Sequence, residues 1–444
     1  MLVTGLGFYA GFAPLVHLLL VQGRSAHDFA RITEALLLLS VSLLCLWGWP
    51  RKSVRVGLFT ALTWSVTSGL YSVQPGTAMR ELALLLGLVV LAASVSRLAE
   101  EMRSRLLMWL QAGLLVYGAI FLLSLAMVLL SEGQVQSQEL VFGYDNPRFL
   151  NHVQTVGLPL ALAVSLSATR KDLRWMGLAT AFLCAFIATF LVARATLLAT
   201  VVATVAVGLA MGRQARPYVG RAAVTIGMGG VLGLLTLKWF GVSVMEAVGN
   251  TASANARLLL WRYALDDAAQ SWLGVGPMHF SRVPRGDAAH PHNFYLQTAA
   301  ELGWPAALAL LAAVLYGLWC LLRRLRARRE QEAQAWGPGL VAACIAIAVD
   351  AGLSGNLVMP LPQVWVAIAV GLACAWYKAD TPSEVPARRR VSVGHLAVAA
   401  IMAVHLGVAW MEYRQPSPHL SASRWINKVE GQEMRPRYWL HGWF

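Results

Sequence analysis

His292 and Asn293 stand in the run His290-Pro291-His292-Asn293-Phe294-Tyr295, and nine residues separate Asn293 from Gly303. A histidine can take or give a proton near neutral pH. This one closes the longest polar loop of the chain, directly before a new apolar segment. The chemistry it suggests is general-base work at a boundary between lipid and water. The plain alternative is a hydrogen-bonded or headgroup-contacting residue at a helix start. His279, His290 and His292 lack the helical HxxxH spacing and a matching carboxylate cluster, so no metal site is read from them.

Arginines supply the complementary charge. Arg194 lies in Val192-Ala193-Arg194-Ala195-Thr196, and Arg257 and Arg262 lie in Asn255-Ala256-Arg257-Leu258-Leu259-Leu260-Trp261-Arg262. The second run reads as an amphipathic helix, apolar on one side with arginines available on the other. A guanidinium makes two parallel charge-assisted hydrogen bonds to a phosphate. Arginines converging outside the membrane point to a polyanionic headgroup, and a diphosphate is the natural candidate. Arg148 and Arg80 could join them. The alternatives are a snorkelling Arg194 at a helix end and a surface-lying helix whose arginines meet lipid headgroups. Asp350 falls inside an apolar segment, a costly place for a carboxylate, where it would pair with an arginine or face a cavity. The turn Leu273-Gly274-Val275-Gly276-Pro277 is dense in glycine, but no Gly-Lys-Ser/Thr follows it, so it is not a phosphate loop.

The elements that must position these residues are membrane helices. The chain of 444 residues is 57% hydrophobic and 13% charged, and its mean hydropathy is +0.58. Its apolar blocks match the length that spans a bilayer core. Spans are predicted near 4–22, 28–48, 55–73, 80–97, 106–130, 151–168, 176–193, 195–211, 221–239, 298–322, 337–356, 362–378 and 393–411. The net charge of +14 is largely confined to loops, so nucleic acid is not the partner it implies. Every second loop is basic. The series runs through Arg51, Lys52 and Arg55; Arg97, Arg103 and Arg105; Arg170, Lys171 and Arg174; Arg213, Arg216 and Arg221; Arg323 to Arg329; and Lys378 with Arg388 to Arg390. These loops are expected on the cytoplasmic side, which leaves residues 23–28, 74–79, 131–150, the 193–195 turn, the 240–297 segment and 357–361 outside. Cys45, Cys184, Cys320, Cys344 and Cys374 all lie in apolar stretches without ligand spacing, so neither zinc nor a disulfide framework is read. The expected divisions are an N-terminal transmembrane bundle 1–239, a large loop 240–297, C-terminal transmembrane helices 298–411 and a tail 412–444.

Taken in order, Ala193-Arg194-Ala195-Thr196, Asn255-Ala256-Arg257 with Trp261-Arg262, Leu273-Gly274-Val275-Gly276-Pro277, and His292-Asn293 with Gly303 resemble the bacterial O-antigen ligase/polymerase superfamily, most closely its ligases. The family often has Ser-Arg-Gly where this chain has Ala193-Arg194-Ala195, and a glycine or similar residue where it has Ala306. The resemblance implies an all-α polytopic membrane protein with about 12–13 transmembrane helices and one large helical periplasmic loop, of the GT-C-like kind. It implies a metal-independent, inverting glycosyltransferase without cofactor in the bacterial inner membrane, its active site facing the periplasm. The donor would be O-antigen polysaccharide on undecaprenyl diphosphate, and the acceptor a sugar hydroxyl of the lipid A core. His292 would be the base, and Arg194, Arg257 and Arg262 the diphosphate ligands. Arg80, Arg148, His290, Asn293 and Asp350 form a second rank of candidates. An O-antigen polymerase, a protein O-oligosaccharyltransferase and a lipid-linked glycan transporter stay open as alternatives.

Overall fold

The computed structural model describes residues 2–20, 25–44, 52–131, 140–242, 252–283, 288–333, 335–379 and 391–414. Arg51, the linker arginines Arg388 to Arg390 and the tail beyond Arg414 lie outside the described residues. The described chain is all-helical, without strands. In order the helices are α1 (Leu2–Leu20), α2 (Ala26–Leu43), α3 (Lys52–Leu70), α4 (Pro75–Val95), α5 (Glu100–Leu130), α6 (Pro147–Ser167) and α7 (Lys171–Phe190). Next come α8 (Arg194–Met211), α9 (Arg216–Trp239), α10 (Ala252–Gln270) and α11 (Phe294–Ala327). The last are α12 (Gly337–Ala351), α13 (Pro360–Tyr377) and α14 (Val393–Arg414). Each predicted span coincides with one of these helices, and α10 is the additional helix of the long loop.

Prolines open α4, α6, α9, α12 and α13 in the first turn, where a missing N–H costs nothing. Asn146 caps α6 by accepting the Arg148 N–H at 2.9 Å. Helix α6 is the hub. Its residues from Leu150 to Leu166 are all buried, and it packs against α7, α8, α12 and α13. The outer helices are different. Leu209, Trp239, Leu315, Tyr316 and Trp319 are exposed although their helices are apolar throughout. Such faces are stable only in an apolar solvent, so this is a multi-pass membrane protein.

Two helices depart from the expected spans, and both departures serve the same end of the bundle. The span expected over 337–356 is a helix only to Ala351. Its 15 residues reach about 22 Å, short of a bilayer core of roughly 30 Å. Side chains of the irregular remainder take up carbonyls at the helix end: Ser354 Oγ donates to the Asp350 carbonyl at 2.9 Å and Asn356 Nδ2 to the Ile347 carbonyl at 3.1 Å. Non-helical backbone is tolerated at such depth only under this condition.

Helix α11 starts at Phe294, earlier than expected, and breaks at Gly303, whose φ of 81° and ψ of 167° belong to a region open almost only to glycine. The carbonyls orphaned at the break are taken up from outside the helix. Val275 N–H donates to Ala300 O at 2.9 Å, Gly276 N–H to Glu301 O at 3.0 Å, and Trp64 Nε1 to Leu302 O at 2.8 Å. Ser68 Oγ on α3 donates to Leu273 O at 2.7 Å and also reaches Glu301 O at 3.1 Å. The glycine-dense turn is therefore a backbone clamp on α11, and a Cβ at Gly303 would overlap the Trp272 carbonyl oxygen.

Gly303→Ala is expected to lower the melting temperature of the detergent-solubilised protein by the equivalent of about 1–3 kcal/mol or more. Gly317→Ala, further along the same helix and facing open space, is the control and should leave it unchanged or slightly raised.

Candidate functional site

Two tight turns bring the charged groups together. Helix α7 ends at Phe190; Val192, a β-branched residue held at a φ of 51°, follows in the turn, and α8 begins directly after Ala193. Arg148 Nη1 donates to the Val192 carbonyl at 3.1 Å, which ties the first turn of α6 to this corner. Thr196 Oγ1 donates to the Asn151 carbonyl at 3.0 Å, a second tie between α8 and α6. The other turn precedes α11. Asn293 caps that helix, its side-chain oxygen accepting the Tyr295 and Leu296 N–H groups, each at 3.1 Å. His292 sits just before the cap at a φ of 53°, and its N–H donates to His290 Nδ1 at 3.2 Å. The two imidazole centroids lie 4.2 Å apart.

Between these turns lies a cavity of about 80 Å³, room for several waters or one phosphate-sized group. Arg148, Arg194, Arg257, His290, His292 and His152 line it, together with Asn146, Asn151, Ser354 and Met359. No carboxylate is among the lining residues. The starts of α6 and α8 add the positive ends of two helix dipoles to three guanidiniums. Burial first, then the Arg194 charge, holds the Arg257 guanidinium below the usual arginine range, against the pull of Asp350. His292 is pushed down to about 3, by burial first and then by Arg257, His152 and Arg148. It is therefore a neutral imidazole at physiological pH, set beside the Arg257 and Arg148 guanidiniums.

The residues singled out from sequence divide clearly. Arg194, Arg257, His292, Arg148 and His290 meet at the cavity. Arg262 is exposed on α10 and is not among the lining residues. Helix α10 buries one face, but its other face carries leucines as well as Arg262. Leu258, Leu259 and Leu265 are exposed while Leu260, Ala264, Asp267 and Ala268 are buried. Arg80 is elsewhere, ion-paired with Glu412 between α4 and α14. Asn293 is a helix cap. Asp350 is fully buried behind the cavity, with Oδ2 at 3.3 Å from His152 Nδ1. His279 is engaged elsewhere, its Nε2 accepting the Gln74 N–H at 3.0 Å while Nδ1 lies 2.8 Å from the Pro277 carbonyl.

Sequence reasoning missed Asn151 and His152. Both lie in the first turns of the apolar α6 and both line the cavity. Neither polar atom of the Asn151 amide has a hydrogen-bond partner, although the residue is 2% exposed. The available signal was polar residues inside a membrane-length apolar block.

The cavity lies at the starts of α6 and α8, and the basic residues Arg170, Lys171, Arg213 and Arg216 lie at their opposite ends. Residues 178–311 match the family described as O-antigen ligase. The matched segment holds Arg194, Arg257, His292 and Gly303, and leaves His152 and Asp350 outside it. No curated protein matches the chain.

Because the folded state disfavours protonation of His292 while the unfolded state takes a proton near pH 6.5, that residue destabilises the fold as pH falls from about 6.5 toward 3. His292→Gln should therefore melt close to wild type at pH 7.5 and above it at pH 4.5. Equal melting differences at both pH values would contradict the burial assigned to the ring.

Proposed function

We propose, with the O-antigen ligase domain over residues 178–311 as the premise, that the chain transfers a glycan from a polyprenyl diphosphate to a sugar hydroxyl at the outer face of the bacterial inner membrane. One observation carries the reading: Arg148, Arg194, Arg257 and His292 face one cavity whose lining holds no carboxylate. The donor is O-antigen on undecaprenyl diphosphate and the acceptor the lipid A core. The basic loops favour a periplasmic cavity, since they lie at the other ends of α6 and α8.

Arg194 and Arg257 bind the diphosphate, with Arg148 in place of Arg262, which does not line the cavity. Their forks neutralise charge that grows on the leaving oxygen as the glycosidic bond breaks. His292 accepts the proton of the acceptor hydroxyl, and attack on the opposite face inverts the anomeric carbon. In the free site Arg257 and Arg148 oppose protonation of His292. A bound diphosphate offsets both charges, so the base gains strength only after the donor is seated. That favours donor binding before acceptor and protects the donor from hydrolysis.

In proteoliposomes carrying polyprenyl-diphosphate glycan, wild-type protein should transfer the glycan to lipid A core. His292→Ala should lower kcat by about 10²–10⁴-fold. Arg257→Lys keeps the charge but loses the bidentate fork, and should weaken donor use about tenfold or more. Normal transfer by His292→Ala would remove the base. Chain extension of the donor glycan without transfer to core would identify a polymerase instead.

A further inference from the structure

Asp350 presents a problem that the diphosphate site does not solve. It is 0% exposed, and neither carboxylate oxygen has a hydrogen-bond partner among the described residues. Burying a carboxylate is expensive unless it is paired. Its nearest basic group is the His152 imidazole, at 3.3 Å. His152 is 7% exposed and lines the cavity, one turn along α6 from Arg148. With one ring edge turned to Asp350, the other edge is left to the reaction space. His152 Nδ1 and the carboxylate stand at ion-pair distance without a formed hydrogen bond, and a carboxylate so placed favours the imidazolium because it balances its charge. His292 has no such partner. The charged groups around it are Arg257, Arg148 and His152.

We propose that His152 and Asp350 form the terminal proton acceptor of the transfer. This rests on the glycosyl-transfer reading above. The acceptor O–H bond breaks as its oxygen bonds to the anomeric carbon, and the bond to the diphosphate oxygen breaks with its electron pair leaving on the diphosphate. The proton passes from the hydroxyl to His292 and on to His152, where Asp350 balances it. Water takes it when the products leave. The other charged groups facing His152 are Arg148 on its own helix, Arg194 on α8, Arg257 on α10 and the histidines His290 and His292 before α11. Asp350, on α12, is the one anion in this set. The pair gives the proton a place where arginine repulsion is opposed, so His292 returns to its neutral form for the next turnover.

The test uses the full-length protein in proteoliposomes, with His152→Gln and Asp350→Asn as near-isosteric changes. Donor binding is measured separately with undecaprenyl diphosphate by native mass spectrometry. Both variants should bind undecaprenyl diphosphate as wild type does, keep both KM values within about threefold, and lose about 10²-fold in kcat. The double variant should be no slower than the slower single variant, since the two residues act as a unit. His152→Gly should regain activity on addition of free imidazole. Wild-type kcat in either isosteric variant would overturn the proposal. So would loss of undecaprenyl diphosphate binding in both, which would make the pair a prop for the arginines. If a variant melts early, absence of imidazole rescue in a folded His152→Gly protein overturns it equally. Failure of the wild-type protein to transfer glycan would instead remove the glycosyl-transfer reading itself.

Discussion

A backbone carbonyl at membrane depth has no water to bond, and the break in α11 creates several at once. Everything at the candidate site depends on how they are satisfied. Val275, Gly276 and Trp64 each donate to one of them, and Ser68 bridges the turn and the helix end. These bonds lock the loop after α10 onto the first half of α11 and anchor both to α3. The half-helix so fixed runs back from Gly303 to its cap at Asn293, and His292 is the residue before the cap. Its position is therefore set by backbone hydrogen bonds about ten residues away. That is a firmer mounting than a free loop provides, and a proton-transfer group needs it.

The same turn chemistry recurs on the other wall. Val192 occupies a left-handed conformation that a β-branched residue adopts only when its surroundings demand it. Arg148 donates to its carbonyl, so a cation of the cavity is also a brace of the α7–α8 corner. Three guanidiniums gathered around one small space repel one another, and for Arg257 partial burial deepens the cost. Such an arrangement is stable as a scaffold feature only because helix packing holds it. Its energetic reward comes when an anion arrives. On the proposed reading, a diphosphate would relieve this repulsion, which would favour a doubly charged headgroup over a neutral sugar.

The helices were legible in the sequence because lipid-facing surfaces must be apolar over a bilayer's length, and eight of the described helices are long and apolar enough to cross one. The arginine and histidine motifs were legible because charged residues next to apolar blocks are few. What was not legible follows from what hydropathy cannot measure. The turn at Gly274 and Gly276 was recognised only as unlike a phosphate loop, since its role is to bond carbonyls on a helix far along the chain. Arg257 and Arg262 looked equivalent in the pattern, yet five positions on a helix turn the second away from the cavity into the open. His152 and Asn151 were absorbed into the apolar count of α6. A buried helix can carry polar groups at a cavity without losing its hydrophobic average. The early end of α12 was hidden for a similar reason, because residues after Ala351 stay buried while ceasing to be helical.

Asp350 links the two halves of this electrostatic design. It lies close enough to oppose the burial and repulsion that act on Arg257, while its carboxylate faces His152. One buried anion thus serves a cation wall and an imidazole together, and α12 must end just after it for the following turn to close the cavity with Ser354 and Met359. A carboxylate placed on the cavity surface would compete with the proposed diphosphate for the same guanidiniums. Set one layer behind, it tempers their repulsion without occupying their forks. The depth of Asp350 is thus as much a part of the site's chemistry as its charge.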